Sequence, residues 1–322
     1  MKVFVTGGYG FIGSYFVDLM LQVGEQVVIY DLMTYATKLN YNEEHSIDIF
    51  KDRVKLIQAS ITDKEKLHQE LNNYLPNVIV NFAAESHVDR SLEGDDIFIQ
   101  TNTIGVKNIL EWLKDNLDTV FIQVSTDEVG GSLDTGSFHE TDKLSPRNPY
   151  SASKAMAEML CEAYHANFGV KVRITRGSNT YGPRQYPEKL IPKCILNLLN
   201  NKPVPIYDQG IQIRDWLYVM DHAAGIKFVL ENGTDGQIYH IGGEDERKNI
   251  DVINSIFSSL GKDDSLKDFT ASRQGHDFRY SLNCDKLKSL GWKQNHHFEH
   301  EMRNVLKFYK QQHHLNHIGA TA

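Results

Sequence analysis

Tyr150 and Lys154 stand four residues apart in Pro149-Tyr150-Ser151-Ala152-Ser153-Lys154. At the start of a helix that spacing puts both side chains on one face. A tyrosine that takes a proton near neutral pH must drop roughly three units from its free pKa, about 4 kcal/mol of differential stabilisation. A neighbouring ammonium together with a second bound cation supplies positive charge of that order. Thr126-Asp127-Glu128 is a second cluster with chemistry in it. Two adjacent carboxylates beside a hydroxyl can act as acid and base. Taken alone, such a pair at a strand end is more often a solvated turn.

A third motif indicates what that tyrosine would work with. Val3-Phe4-Val5-Thr6 runs into Gly7-Gly8-Tyr9-Gly10-Phe11-Ile12-Gly13 and then into a helical pattern. Gly7 permits a tight turn, Gly10 lets the backbone approach a pyrophosphate, and Gly13 lets the helix pack on the sheet. The free N–H groups at the helix start attract phosphate. A second strand ends on Tyr30-Asp31. An acid there accepts hydrogen bonds from ribose hydroxyls and repels a 2′-phosphate, which favours NAD over NADP.

These residues need a scaffold, and the first half of the chain describes one. Val3–Thr6, Gln26–Tyr30, Val54–Gln58, Val78–Phe82, Thr119–Val124 and Val170–Thr175 read as strands. Ile12–Leu21, Lys64–Leu71, Thr101–Lys114 and Ser151–Asn167 read as helices. The alternation predicts an α/β fold, a Rossmann-like doubly wound parallel sheet. From about Gly182 prolines crowd together, and Leu190–Leu199, Val252–Leu260 and His300–Gln311 return to regular character. This suggests an NAD-binding domain over 1–177 and a smaller α/β substrate lobe over 178–322, with segments free to cross between them.

Bulk composition narrows the classes. At 322 residues and net charge −8, the chain is an ordinary globular length and a poor match to nucleic acid or an anionic membrane. Cys161, Cys194 and Cys284 are scattered, so neither a disulfide framework nor a metal site is expected. With no signal peptide or spanning segment apparent, the expectation is a cytoplasmic protein. The histidines near the C-terminus read as a frayed, solvated tail.

The glycine-rich start, Asn81-Phe82-Ala83-Ala84, the Ser/Thr strand end and the Tyr-x-x-x-Lys pattern together resemble the extended short-chain dehydrogenase/reductase family. Longer stretches narrow the resemblance: Ala84-Glu85-Ser86-His87-Val88-Asp89-Arg90-Ser91, Ser125–Val129, Tyr186–Pro192, Gln212–Val219 and Gly275-His276-Asp277. They are similar to the nucleotide-sugar 4,6-dehydratases, above all those acting on dTDP-glucose. The resemblance implies a redox-neutral dehydration with NAD as cofactor. It gives Tyr150 and Lys154 the oxidation, Asp127 the acid role and Glu128 the base role, with Thr126 on the 4-hydroxyl. It assigns Gly7, Gly10, Phe11, Ile12, Gly13, Asp31, Thr34, Ser60, Ile61, Phe82, Ala83 and Ala84 to the cofactor. It assigns Ser86, Asp89, Asn179, Lys189, Leu190, Tyr207, Arg214, Asn249, Arg273 and His276 to the nucleotide-sugar substrate, and His87 to positioning. It also implies a homodimer through a four-helix bundle made by Thr101–Lys114 and Ser151–Asn167.

Other readings stay open: a UDP- or CDP-sugar such as UDP-N-acetylglucosamine as substrate, a 4-epimerase or 4-ketoreductase, and a non-catalytic dinucleotide sensor. Three positions depart from the pattern. Gly130 stands where the family has Tyr, which predicts open space and a bulkier sugar. Ser60 replaces an Asp near the adenine, at a cost of about 1 kcal/mol. Gly105 interrupts a helix without an evident reason.

Overall fold

The computed structural model describes residues 1–37, 50–271 and 277–319, and side chains as far as Leu315. Lys2–Thr6 (β1), Gln26–Asp31 (β2), Val54–Gln58 (β3), Val78–Asn81 (β4), Val120–Thr126 (β5) and Lys171–Gly177 (β6) come first. Asn179–Tyr181 (β7), Val204–Tyr207 (β8), Ile213–Tyr218 (β9), Gln237–Ile241 (β10), Glu246–Lys248 (β11) and Lys267–Thr270 (β12) follow. The expected doubly wound sheet is present: seven parallel strands in the order β10-β6-β5-β4-β1-β2-β3. Its seventh strand, β10, arrives from the second half of the chain. Two smaller sheets, β11-β9-β7 and β12-β8, lie outside it.

Alternation along each strand feeds two apolar layers. Val3 and Val5 enter one core and Phe4 the other. The first layer is closed by Phe11–Gln22 (α1) and, from the second half of the chain, Val219–Asn232, through Phe16, Met20, Ile226 and Val229. The other is closed by Lys64–Tyr74 (α2), Gly105–Leu113 (α3) and Pro149–Phe168 (α4), through Leu67, Ile109, Leu113 and Cys161. Leu190–Leu199 (α5), Val219–Asn232 (α6), Asn249–Leu260 (α7) and Phe298–Gly319 (α8) complete the helices used below. A third core joins α5, α7 and α8 through Ile195, Ile256 and Val305. The C-terminal segment is therefore not frayed up to Gly319: it continues α8, and His313 contacts Asn200 Oδ1 at 3.2 Å. All three cysteines are buried.

The strand order reverses its winding between β1 and β4, so a crevice opens at the carboxyl ends of these parallel strands. The residues singled out for cofactor chemistry lie at the carboxyl ends of β1 to β5, in the segments after them or in the helices those segments lead into.

The helix expected over Thr101–Lys114 differs in form. It begins at Asp96 and passes through a π-helical stretch, Ile99–Ile104, before α3. That wider turn places Asn102 where it bonds the backbone of Glu85 in both directions, at 2.9 Å each, and Ser153 Oγ at 2.9 Å. Gly105, at the junction, also acquires its reason. A Cβ there would lie 2.5 Å from Ile61 Cδ1 and Cγ1, so the glycine leaves room for Ile61. Gly105→Ala should gain about 1 kcal/mol in helix propensity and lose about 1–3 kcal/mol to overpacking. A net loss of stability in urea unfolding is the expected result.

Candidate active site

The glycine loop is shaped by close approach. Gly7 holds φ at +68°, and a Cβ there would meet Ala83 N at 2.5 Å. A Cβ on Gly13 would collide with the Gly7 carbonyl. Gly10 caps α1 without a side-chain hydrogen bond, so the first-turn amides remain available to an anion. Asp31 holds the loop from the neighbouring strand. Its carboxylate accepts from Tyr9 N at 3.0 Å and Met33 N at 2.8 Å. Burial pushes its pKa up, and those two amides oppose the rise.

A cavity of about 290 Å³ runs from this loop to the catalytic cluster. Gly7, Gly10, Phe11, Ile12, Gly13, Phe82, Ala84 and Ser86 line one part of it; Thr126, Asp127, Glu128, Tyr150 and Lys154 line another. Asp31, Thr34, Ser60, Ile61 and Ala83 do not line it, although Asp31, Thr34, Ser60 and Ile61 follow the same edge of the sheet, after β2 and β3. Ser60 Oγ is engaged in a local turn, 2.8 Å from Thr62 Oγ1 and 3.2 Å from Thr62 N. The residues fit a dinucleotide: strained glycines that tolerate no side chain, an uncapped helix start and a cavity reaching the Tyr–Lys pair.

α4 starts where it does because Asn148 caps it. Asn148 Oδ1 accepts from Ser151 N at 2.8 Å, Ser151 Oγ accepts from Asn148 N at 3.3 Å, and Pro149 occupies the first turn. Tyr150 is thereby fixed in the first turn and Lys154 one turn on. Asn148 Nδ2 also donates to Glu128 Oε2 at 3.2 Å, so one residue sets the helix and orients the carboxylate. Lys154 Nζ donates to Val124 O at 2.6 Å, and burial lowers its pKa to about 8.

Burial pushes the Tyr150 phenol up, Glu128 and Asp127 push it the same way, and the opposing hydrogen bond from Thr126 is outweighed. The protein by itself therefore favours the protonated phenol, and the lowering must come from a bound cation. Asp127 is raised to about 8, first by burial and then by Glu128. Its Oδ1 accepts from Thr126 Oγ1 at 3.1 Å, while Oδ2 is buried without a partner among the described residues. A carboxyl held protonated at neutral pH can donate a proton.

A second cavity of about 210 Å³ shares Glu128, Asn179, Glu188 and Lys189 with the first. Asp89, Leu190, Tyr207, Arg214 and Asn249 line it, as does His87. Asn179 Oδ1 and Asn249 Oδ1 are buried there without partners among the described residues. Arg214 stacks on Tyr280 at 4.4 Å and gives three hydrogen bonds to the carbonyls of Ile213, Phe278 and Asp277. Lys189 Nζ donates to Ser86 O at 2.7 Å, tying the two cavities together. His87 Nδ1 accepts from Arg90 N at 3.3 Å and starts the helix Val88–Glu93. Arg273 and His276 lie outside the described residues.

The expectation of open space at Gly130 is overturned. A Cβ on Gly130 would lie 2.8 Å from Phe138 Cε2 and 2.9 Å from Cδ2 and Cζ. Phe138 packs there against Leu282 and Cys284, so the glycine accommodates a ring supplied by another segment. No room for a bulkier sugar is created. Sequence reasoning missed Glu188 and Asn148. Glu188 sits inside the quoted Tyr186–Pro192 stretch, and Asn148 precedes Pro149 as a cap signal, so both had a local trace.

The GDP-mannose 4,6 dehydratase family profile matches residues 4–305. The chain is 40% identical to the dTDP-glucose 4,6-dehydratase of Xanthomonas campestris pv. campestris (strain B100), over 95% of this chain and 92% of that protein. It superposes on a double mutant of DesIV, a dTDP-glucose 4,6-dehydratase from Streptomyces venezuelae with NAD and DAU bound, with a TM-score of 0.91. That pair is 40% identical over 96% of this chain and 97% of the other. The UDP-glucose 4-epimerase of Thermus thermophilus, in complex with NAD, superposes with a TM-score of 0.87 at 26% identity, over 96% and 99% of the two chains.

Proposed function

Since the chain belongs to the GDP-mannose 4,6 dehydratase family, we propose that it is an NAD-dependent nucleotide-sugar 4,6-dehydratase that converts dTDP-glucose to dTDP-4-keto-6-deoxyglucose and water. The observation that carries this is the adjacency of Tyr150 and Lys154 to a protonated Asp127 and to Glu128 in one cavity. Oxidation alone needs only the first two; elimination of water needs the acid and base as well.

A bound NAD, held by the glycine loop beside Tyr150 and Lys154, would supply the hydride acceptor for C4 and the hydride donor for C6. Thr126 holds the sugar 4-hydroxyl, and Tyr150 takes its proton. The 4-ketone so formed acidifies the C5 hydrogen, which Glu128 removes. Asp127 gives its proton to the C6 hydroxyl, water departs, and Glu128 returns its proton to C5 as hydride adds at C6. Lys154, fixed to the Val124 carbonyl, places positive charge beneath the site. Gly7, Gly10, Phe11, Ile12, Gly13, Phe82, Ala83 and Ala84 cradle the dinucleotide, with Asp31, Thr34, Ser60 and Ile61 toward its adenosine end. Ser86, Asp89, Asn179, Lys189, Leu190, Tyr207, Arg214, Asn249, Arg273 and His276 hold the nucleotide sugar. Arg and Lys supply the diphosphate's counter-charge.

Incubation with dTDP-glucose, UDP-glucose and UDP-N-acetylglucosamine, each without added reductant, tests this by mass spectrometry. Loss of one water from dTDP-glucose is the expected result. Water loss from a UDP-sugar alone would reassign the base, and epimer formation without water loss would favour the epimerase reading.

The chain is also proposed to form a homodimer. Ile97, Ile104, Met156 and Met159 are exposed on the helical stretch Asp96–Leu113 and on α4, Met159 at 59%. Exposed apolar side chains on two neighbouring helices suit pairing with a second copy into a four-helix bundle. Met159→Glu should convert the dimer to monomer in light scattering; a monomeric wild type would end the proposal. No described helix is long and apolar enough to cross a membrane.

A further inference from the structure

His222 stands at the start of α6 and none of the chemistry above uses it. Its ring is buried and lines the same cavity as Tyr150 and Lys154. It rests on Gly177, where any Cβ would collide with the imidazole. Gly177 in turn is the cross-strand partner of Thr126. His222 therefore packs on the strand next to the one that carries the catalytic cluster, in the same cavity.

The hydrogen bonds around the ring favour one tautomer. Thr180 Oγ1 lies 3.1 Å from Ser178 O and 2.7 Å from His222 Nδ1. A hydroxyl has one proton. Given to the Ser178 carbonyl, it leaves Thr180 Oγ1 to accept from Nδ1–H, and both contacts are satisfied at once. Nε2 is then an unprotonated acceptor. It is buried without a partner among the described residues. The Ser178 hydroxyl cannot serve it, because its oxygen accepts from Gly243 N at 3.2 Å and its proton goes to Asp215. Burial lowers the imidazole pKa to about 4, so the ring stays neutral. A buried acceptor left unpaired costs as much as a lost hydrogen bond.

We propose that His222 Nε2 accepts a hydrogen bond from the carboxamide N–H of the nicotinamide, so that the Thr180–His222 pair sets the orientation of the cofactor's reactive ring. The proposal rests on the NAD reading above. It makes His222 a cofactor-positioning residue and gives Gly177 a reason: only glycine admits the imidazole.

The probe is the dinucleotide whose carboxamide is replaced by an acetyl group, 3-acetylpyridine adenine dinucleotide, which keeps the carbonyl and lacks the N–H. Dissociation constants for it and for NAD are measured by calorimetry on protein freed of bound dinucleotide. The wild type should bind NAD about 10-fold more tightly than the analogue. His222→Phe should weaken NAD by about that factor, leave the analogue nearly unchanged, and bring the ratio close to one. Thr180→Val, which keeps the imidazole but releases its tautomer, should reduce the ratio severalfold and serves if the Phe variant does not fold. Equal affinities in the wild type, or a ratio unchanged in the variants, overturn the inference alone. If the wild type binds neither dinucleotide, the NAD reading falls with it.

Discussion

Tyr150→Phe is expected to lower kcat by about 100- to 10,000-fold while leaving the dinucleotide in place. The reason is the balance of forces on the phenol, in which the Thr126 hydrogen bond alone pulls toward the phenolate and is outweighed. Burial and the two carboxylates hold its proton on, and Lys154 is engaged with the Val124 carbonyl. The phenolate then becomes accessible only when the oxidised nicotinamide brings its charge alongside. The variant keeps the ring packed against Phe98, at a centroid distance of 6.5 Å, so the fold should be preserved. Turnover measured with the dinucleotide content of the purified variant checks this. Activity within a few-fold of wild type would remove Tyr150 from the proton transfer.

The acid and base should separate in isotope exchange. Asp127→Asn leaves Glu128 able to take the C5 proton, so substrate recovered from heavy water should carry deuterium at C5 although water loss has fallen by about 100- to 10,000-fold. Glu128→Gln should lose both the exchange and the dehydration. Exchange that survives in the Gln variant and vanishes in the Asn variant would reverse the two roles. A pH consequence follows for Asp127. Its native pKa of about 8 lies above that of a free carboxyl, so the folded chain binds this proton more tightly than the unfolded one. Its contribution to stability is full below pH ~4 and is lost as pH rises through about 8. The acid form needed for water loss declines over the upper end of the same window. Asp127→Asn should remove that part of the pH-dependent fall in stability.

Much of the molecule was legible because its signals are local. The glycine loop, the βα alternation and Tyr-x-x-x-Lys are short patterns whose meaning depends on one turn or one helix face. The cap at Asn148 and the wall residue Glu188 left traces of the same local kind. Gly130 and Gly105 illustrate the opposite case. A glycine announces missing volume, and the sequence does not say what fills it. At Gly130 the volume belongs to Phe138, and at Gly105 to Ile61. Ile61 comes from far along the chain, and Phe138, though near Gly130 in sequence, is turned back onto it by packing against the distant Leu282 and Cys284, so the inference of open space failed on contacts that no local window shows.

What the sequence by itself determined was the doubly wound sheet and the glycine loop, since each follows from spacing within one element or one turn; the roles proposed for Asp127 and Glu128 came from the resemblance, not from spacing. Only the tertiary structure decided the upward pressure on the Asp127 carboxyl and the Tyr150 phenol and the burial of His222 against Gly177. Those depend on burial and on partners in other strands, and in a low-dielectric interior the nearest groups in space outweigh the nearest groups in sequence.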